Sequence, residues 1–304
     1  MYLPYSRPRL IEIHEQAWCP PSIRRPIQTM LAFLWTHRIA PFQARAPYEA
    51  VVDIVQRVLL DIEDEDERDQ EDRGTLQLLD CCSGAGGPVP AIERDINSRR
   101  SLASKPPVKV FLSDIHPHLE SWIHHSMESP TRSLSYLTFP VDAAHVPAHL
   151  KEERHLRTFF LAFHHFSEDA ARRVLEDAMR TAEGICIFEL QAPDLGSIVT
   201  ILALFPLSFL LIPFQHPTIT TLLFTYIIPI IPAILIFDGL VSAWRTRSPQ
   251  HIQYLAGLAA MTVQLEGGDK EGEWKWESGG GVHTWPWGRM SYVIGRRDRG
   301  GDDD

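Results

Sequence analysis

One short stretch limits the folds open to this chain more than any other: an apolar run that stops on an acid and breaks into glycines. Leu76 to Leu79 reads as a buried strand. Asp80 closes it, and Cys81-Cys82-Ser83-Gly84-Ala85-Gly86-Gly87 follows before Pro88. Proline suits the first turn of a helix, where the N–H it lacks would have no partner in any case. Strand, glycine loop and helix form the unit in which backbone closely approaches a ligand and helix N–H groups point at it. Glycine fits at 84, 86 and 87 because a side chain there would block that approach or forbid a positive φ. Taken alone, the loop also suits a tight turn in another α/β protein.

Similar units recur downstream. Val108 to Ser113 is a second strand ending on Asp114. A carboxylate there either accepts hydrogen bonds from both ribose hydroxyls of an adenosine or caps the helix that follows. Leu134 to Phe139 is a third strand, followed by Val141-Asp142-Ala143-Ala144. Thr158 to Phe166 gives a fourth strand and its exit through His164-His165. After an amphipathic helix, Ala182-Glu183-Gly184 opens a fifth strand, Ile185 to Glu189. Trp274 to Trp276 and Ser291 to Gly295 read as an antiparallel pair about a glycine turn at Gly279-Gly280-Gly281. Apolar residues at helical spacing predict helices over Ile23 to Thr36, Tyr48 to Leu60 and Ser248 to Met261.

In this order the stretches resemble class I S-adenosylmethionine-dependent methyltransferases, by motif over roughly residues 75 to 190 and by topology over 270 to 296. The resemblance implies an α/β fold: a doubly wound, seven-stranded methyltransferase-type sheet with an N-terminal helical cap and a hydrophobic helical insertion. It implies S-adenosyl-L-methionine as cofactor, held by Asp80, Ser83, Gly84, Gly86, Gly87, Asp114 and Asp142, the last near the adenine amino group. The spacing from Gly86 to Asp114 exceeds the usual one, and the excess falls in the loop over 98–107. A histidine leaving strand four faces the reactive methyl in many relatives, so His164 and His165 are the candidate catalytic residues, as general base or as pocket lining. The family's helices before strand one often cap the cofactor, so Trp18, Trp35, His14 and Glu15 either line the pocket or pack and cap the N-terminal helices themselves. A nicotinamide oxidoreductase would want a third glycine where Val89 stands. The alternative from another class is a membrane-anchored, non-catalytic binding or scaffold protein that retains the fold.

The 304 residues suit one enlarged domain. The expected parts are a helical cap over 1–62, an acidic linker over 63–73, a cofactor-binding core over 74–194, an apolar hairpin over 195–240, and a C-terminal helix and β-hairpin over 241–298. The linker reading follows from the almost wholly charged run Glu63 to Arg73, which buries no apolar surface. A net charge of −10 without a basic, aromatic-laced patch argues against a nucleic-acid partner, and the apolar run over 195–237 points to a small, hydrophobic molecule as the acceptor. Cys19, Cys81, Cys82 and Cys186 lack metal-ligand spacing, and the acidic run has nothing to fix a cage, so no metal is expected. The same cysteines read as reduced, cytosol-facing thiols, and Pro4 to Arg9 do not form a secretory signal.

Leu195 to Phe237 contains no Asp, Glu, Lys or Arg. Gly196 to Phe214 and Thr218 to Phe237 each approach the ~20 residues that span a bilayer, with Gln215-His216-Pro217 as the turn. Arg245 and Arg247 beyond the run favour a cytoplasmic catalytic domain. The expectation is membrane association through residues 196–237, with a buried lid over a greasy pocket as the alternative.

Overall fold

The computed structural model describes residues 10–69, 74–215, 217–267 and 273–298. In chain order the elements are α1 (Pro21–Thr36), α2 (Pro47–Asp69), β1 (Gln77–Cys81), α3 (Val89–Leu102), β2 (Val110–Ser113), α4 (Leu119–Glu128), β3 (Leu134–Tyr136), α5 (Ala148–Lys151), β4 (His155–Phe160), α6 (Glu168–Thr181) and β5 (Gly184–Glu189). The insertion and closing hairpin follow as α7 (Leu195–Leu211), α8 (Ile219–Leu222), α9 (Ile230–Arg245), α10 (Pro249–Leu265), β6 (Glu273–Thr284) and β7 (Gly288–Asp298).

The described strands form one seven-stranded sheet in the order β3-β2-β1-β4-β5-β7-β6. Strands β1 to β5 run parallel, and β7 enters antiparallel between β5 and β6. This is the expected doubly wound, methyltransferase-type sheet. Side chains alternate across a strand, so neighbouring residues feed opposite layers. Leu78, Cys186, Phe188 and Ile294 join the core under α2, α3 and α4. Leu79, Ile185, Ile187 and Val293 join the core under α6 and α10. Both faces are covered, which is why the inner strands read as continuous apolar runs.

Three expectations change. The acidic run does not begin a linker: residues 63–69 are the last turns of α2. Its carboxylates meet cations from distant elements, Glu63 with Arg100 (2.7 Å) and Lys105 (3.0 Å), Asp66 with Arg154 (2.8 Å), and Glu65 with Arg296. Those partners relieve the self-repulsion that the local sequence predicts. Residues 70–73 lie outside the described residues. The glycine triplet is not the turn of the final hairpin either, because it lies within β6, and Trp285-Pro286-Trp287 makes the reversal. Its glycines give room instead: a Cβ at Gly280 would stand 2.5 Å from the Met290 carbonyl oxygen, and one at Gly279 would collide with the Tyr292 ring.

The third change concerns the apolar run. Leu195–Gln215 is one continuous helical segment of 21 residues with a mean hydropathy of 2.4, long and apolar enough to cross a membrane. The second limb is not one straight span. Ile219–Ile227 and Ile230–Arg245 meet at a 74° bend, where Pro229 has no N–H to continue the helix. His216, in the expected turn, lies outside the described residues. The insertion packs on the cap, with Ile212, Ile231 and Leu235 against Ile27 and Met30 of α1. Its outer side leaves Leu202, Leu210, Phe214, Ile219 and Ile227 exposed. Arg245 and Arg247 turn inward rather than flanking a membrane face: Arg245 donates to the His165 carbonyl (2.7 Å), and Arg247 to those of Phe163 (3.2 Å) and Phe166 (2.5 Å).

Candidate functional site

The C-terminal edge of the parallel strands carries two groups of polar residues, the glycine loop after β1 and a buried ionic cluster at the exit of β4. Cys82, Gly84, Gly86 and Gly87 all take positive φ, of 61°, 50°, 110° and 47°. Glycine is required here for backbone conformation, and Cys82 is held in the left-handed region among them. The loop is pinned from below. Ser83 Oγ donates to the Asp80 carbonyl (3.1 Å) and accepts from Ser113 N–H (3.1 Å), while Ser113 Oγ donates to the same Asp80 carbonyl (2.7 Å). Asp80 itself is buried and accepts from the Thr158 hydroxyl (3.0 Å).

Asp114 crosses from β2 to the loop. One carboxylate oxygen accepts from Gly84 N–H (2.9 Å) and the other from His116 N–H (2.8 Å). Each oxygen keeps a further lone pair. The Asp114 carbonyl accepts from Val141 N–H (2.9 Å), which brings exposed Asp142 beside it on the same edge. The structure thus gathers Asp80, Ser83, Gly84, Gly86, Gly87, Asp114 and Asp142 along one edge, in different settings. The Asp80 and Ser83 side chains are used inside the fold. Gly84 and Gly87 have nothing within 4 Å of where a Cβ would stand. Gly86 lies under His125, whose Cδ2 would be 2.9 Å from an added Cβ. Helix α4 also takes up loop carbonyls, with Trp122 Nε1 donating to Gly84 O (2.8 Å) and Ser121 Oγ to Ala85 O (2.7 Å). The open face of the loop is therefore at Gly84 and Gly87, and Gly86 is a packing glycine for α4.

At the exit of β4 a 3-10 turn over Phe163–His165 presents the two expected histidines. His164 is buried, with Nδ1 2.9 Å from Glu189 Oε2 at the end of β5, and its backbone N–H donates to Glu189 Oε1 (3.0 Å). Its Nε2 faces Glu12 Oε1 at 3.4 Å, and His165 Nδ1 faces the same oxygen at 3.6 Å. His165 Nε2 lies 3.2 Å from Glu15 Oε1, and Arg245 Nη1 lies 3.6 Å from Glu12 Oε1. Asp238 of α9 ties the same N-terminal segment to the insertion: its carboxylate accepts from Ile13 N–H (2.6 Å) and His14 N–H (3.0 Å) and meets His14 Nδ1 at 2.7 Å.

These contacts set the protonation states. Burial works against a charged His164 ring, but Glu189 and Glu12 outweigh it and push its pKa up to about 10. Burial and the charge on His164 push His165 down to about 3. Burial raises Glu12, but His164 and His165 together bring it down to about 2. Burial beside Glu12 raises Glu15 to about 7. Neither histidine titrates near neutrality, so the expected general-base role does not follow from this arrangement: His164 already holds its proton and His165 gains one only in acid.

Of the residues named from the cap, Glu15 reaches His165 and His14 pairs with Asp238 beside the cluster. Trp18 is exposed, and Trp35 packs in the core under α2. Sequence reading missed Glu12, Glu189, Asp238 and Arg245. The signal for Glu12 was there in Glu12-Ile13-His14-Glu15, three ligand-type residues in four ahead of α1. For Glu189 and Asp238 it was a single acid closing an apolar run.

No protein-family model and no curated protein matches the sequence. Among solved structures, the chain is similar to magnesium protoporphyrin IX methyltransferase from Synechocystis PCC 6803 with bound SAH, at 12% identity and a TM-score of 0.43, over 93% of this chain and 89% of that one. It is similar to the pyocyanin biosynthetic protein PhzM at 13% identity and a TM-score of 0.40, over 74% of this chain and 51% of that one. An O-methyltransferase family protein from Burkholderia thailandensis matches at 12% identity and a TM-score of 0.40, over 84% of this chain and 60% of that one. The chain thus spans about half the length of the pyocyanin protein.

Burial raises the Asp80 carboxyl to about 7 against hydrogen bonds from Ser83 and Thr158. The folded protein then keeps a proton that the unfolded chain releases near ~3.9. The Asp80 contribution to stability falls as pH rises from about 4 to about 7 and is level above, by on the order of 4 kcal/mol over that window. Asp80→Asn keeps an acceptor for Thr158 and removes the titration, while Glu15 and His165 titrate alike in both proteins and cancel. Urea denaturation across pH should show Asp80→Asn gaining on wild type from pH ~4 to ~7. Parallel stability curves would show that Asp80 is not buried as a neutral acid.

Proposed function

We propose that this chain is an S-adenosylmethionine-dependent methyltransferase acting on a small, lipophilic acceptor at a membrane surface. The observation that carries the reading is the glycine loop on the central strand of a β3-β2-β1-β4-β5-β7-β6 sheet, with Asp114 opposite it on β2. The residues suit the cofactor. Gly84 and Gly87 present bare backbone that any side chain would cover, the Asp114 carboxylate keeps lone pairs for two ribose hydroxyls, and Asp142 stands next along the edge for the adenine amino group. Asp80 and Ser83 act from beneath, by holding the loop in its left-handed conformation.

The cofactor supplies an activated methyl on a sulfonium; the protein aligns an oxygen, nitrogen or carbon nucleophile with it and excludes water. A neutral sulfide is left, and the proton of the nucleophile leaves to solvent or a basic group. The buried His164 and half-buried His165 line the acceptor side beside the loop. Their ionic network holds Glu12 to Glu15 over that edge, so the cap closes on the reactants instead of swinging free.

The insertion supports the lipophilic part of the reading. Asp238 and Arg245 connect α9 directly to the ionic cluster, so the exposed apolar side of α7 to α9 adjoins the acceptor side of the site. An amphiphile drawn from a bilayer would reach the site along that surface. The single continuous apolar helix and the bent second limb suit insertion into one leaflet better than a two-span hairpin.

Calorimetry tests the cofactor. Wild-type protein should bind S-adenosylhomocysteine, and Asp114→Ala should weaken binding by ~10-fold or more, as expected for loss of hydrogen bonds to a charged acceptor. A cofactor analogue lacking both ribose hydroxyls should bind wild type correspondingly less well, while Asp114→Ala fails to distinguish the two ligands. Equal binding of S-adenosylhomocysteine by wild type and Asp114→Ala would remove the proposed site.

Fractionation tests the membrane. The intact chain should pellet with membranes and need detergent for release, and a chain with residues 196–237 replaced by a short Gly/Ser linker should stay in the supernatant. Recovery of the intact chain as a detergent-free soluble monomer would contradict membrane association and leave the insertion as a lid.

A further inference from the structure

The ionic cluster has a feature that ion pairing alone does not explain. Three buried ligand atoms, Glu12 Oε1, His164 Nε2 and His165 Nδ1, point at one another with no hydrogen-bond partner among the described residues. They lie within 4.8 Å of one another. The other nitrogen of each histidine faces an outer carboxylate, as a hydrogen bond for His164 and an ion-pair contact for His165. His164 Nδ1 is 2.9 Å from Glu189 Oε2, and His165 Nε2 is 3.2 Å from Glu15 Oε1. A neutral imidazole carries its N–H on one nitrogen only. Metal binding would displace the proton that His164 otherwise holds on Nε2; with its remaining N–H turned to Glu189, nitrogen lone pairs from both rings and a carboxylate oxygen converge on one spot.

We infer that Glu12, His164 and His165 form a binding site for a divalent first-row transition-metal ion, with zinc as the best fit to the donor set. The separations support this. Hydrogen-bonded atoms would approach to about 2.9 Å, whereas Glu12 Oε1 is 3.4 Å from His164 Nε2 and 3.6 Å from His165 Nδ1. A tetrahedron with metal bonds of ~2.0 Å has edges of roughly 3.3 Å. The octahedral, all-oxygen surroundings that magnesium prefers are absent from this trio.

The outer shell is also of the kind metal sites have. Ligating histidines commonly pass their second N–H to a carboxylate, which fixes the ring and raises its basicity. Here Glu189 does so for His164, and Glu15 stands in that position for His165. A similar arrangement recurs alongside: His14 meets Asp238 through Nδ1, and Glu12, His14 and Glu15 also bring one ligand atom each within 4.8 Å of one another. Glu15 or His14 is thus placed to supply a fourth donor after a side-chain rotation, or water takes that position. The nearby cation Arg245, 3.6 Å from Glu12 Oε1, donates to the His165 carbonyl and holds the turn that carries both histidines. The rival occupant of the same space is a proton on His164 Nε2, which would make the trio a buried ion pair.

Metal uptake can be read without cofactor or acceptor, so its outcome is independent of the methyl-transfer reading. Full-length protein, purified in detergent if required and stripped with a chelator, is titrated with zinc against a chromophoric chelator, and its bound metal is counted after gel filtration. One zinc per chain is expected. Glu12→Gln and His164→Ala should each lower affinity by at least ~10-fold, and Glu189→Gln by ~10–100-fold, the usual effect of an outer-shell change. His124→Ala, on the exposed face of α4, should bind as wild type does. Cobalt titrated into stripped wild-type protein gives a readout that needs no variant to fold: intense visible bands of a four-coordinate site are expected. Failure of wild type to retain stoichiometric zinc, or a weak six-coordinate cobalt spectrum, would overturn the site in favour of the ion pair. So would zinc binding that survives both Glu12→Gln and His164→Ala.

Discussion

Buried charge at the exit of β4 is the constraint on which the rest of the molecule depends. Glu12, Glu189 and Asp238 are all nearly inaccessible, as is His164. Taking one ion out of water costs several kcal/mol, and only close partners offset it. Those partners come from the N-terminal segment, the β4 turn, the end of β5 and α9, in contacts such as His14 with Asp238 that join residues 224 apart in sequence. None of these groups is tolerable in place without the others, so cap, sheet and insertion must assemble together. Truncating one member would strand its partner, an effect of about 3–5 kcal/mol for buried pairs.

That junction explains why an apolar insertion sits beside a polar site. Apolar packing alone would let α7 to α9 settle wherever they find apolar surface, and Ile27 and Met30 of α1 provide it. Asp238 and Arg245 fix the direction, because Asp238 binds Ile13 and His14 of the N-terminal segment and Arg245 reaches Glu12 and the His165 carbonyl. The glycine loop depends on a different set of contacts. Ser83, Ser113 and Thr158 hold it from below, and Trp122 and Ser121 hold it from the α4 side. The two sets meet at the edge where β1 and β4 lie side by side.

The sheet was legible in the sequence because its signals are local: apolar runs of strand length, closed by acids or glycines, in an order that leaves few topologies. The glycine loop was legible for the same reason. Features that depend on distant partners were not. The acidic end of α2 looks unfoldable until Arg100, Lys105, Arg154 and Arg296 are brought to it. Gly279 and Gly280 look like part of a turn until Tyr292 and Met290 are seen to fill the space above them. Gly86 looks like a ligand cradle until His125 lies over it. His164 and His165 stood out as a pair, yet their chemistry is set by Glu12, Glu189 and Asp238, which no spacing rule connects to them.

The central claim is that the Asp238 carboxylate and the Glu12 cluster clamp the N-terminal segment and the insertion onto the edge of the sheet. Native-state amide exchange of Asp238→Ala against wild type measures this most directly, since Ile13 and His14 donate their N–H groups to that carboxylate. The clamp predicts faster exchange at Ile13 and His14 and through α9, with the amides of β1, β4 and β5 unchanged. Unchanged protection at Ile13, His14 and α9 would show that the cap and insertion are held by apolar packing alone, and would contradict it.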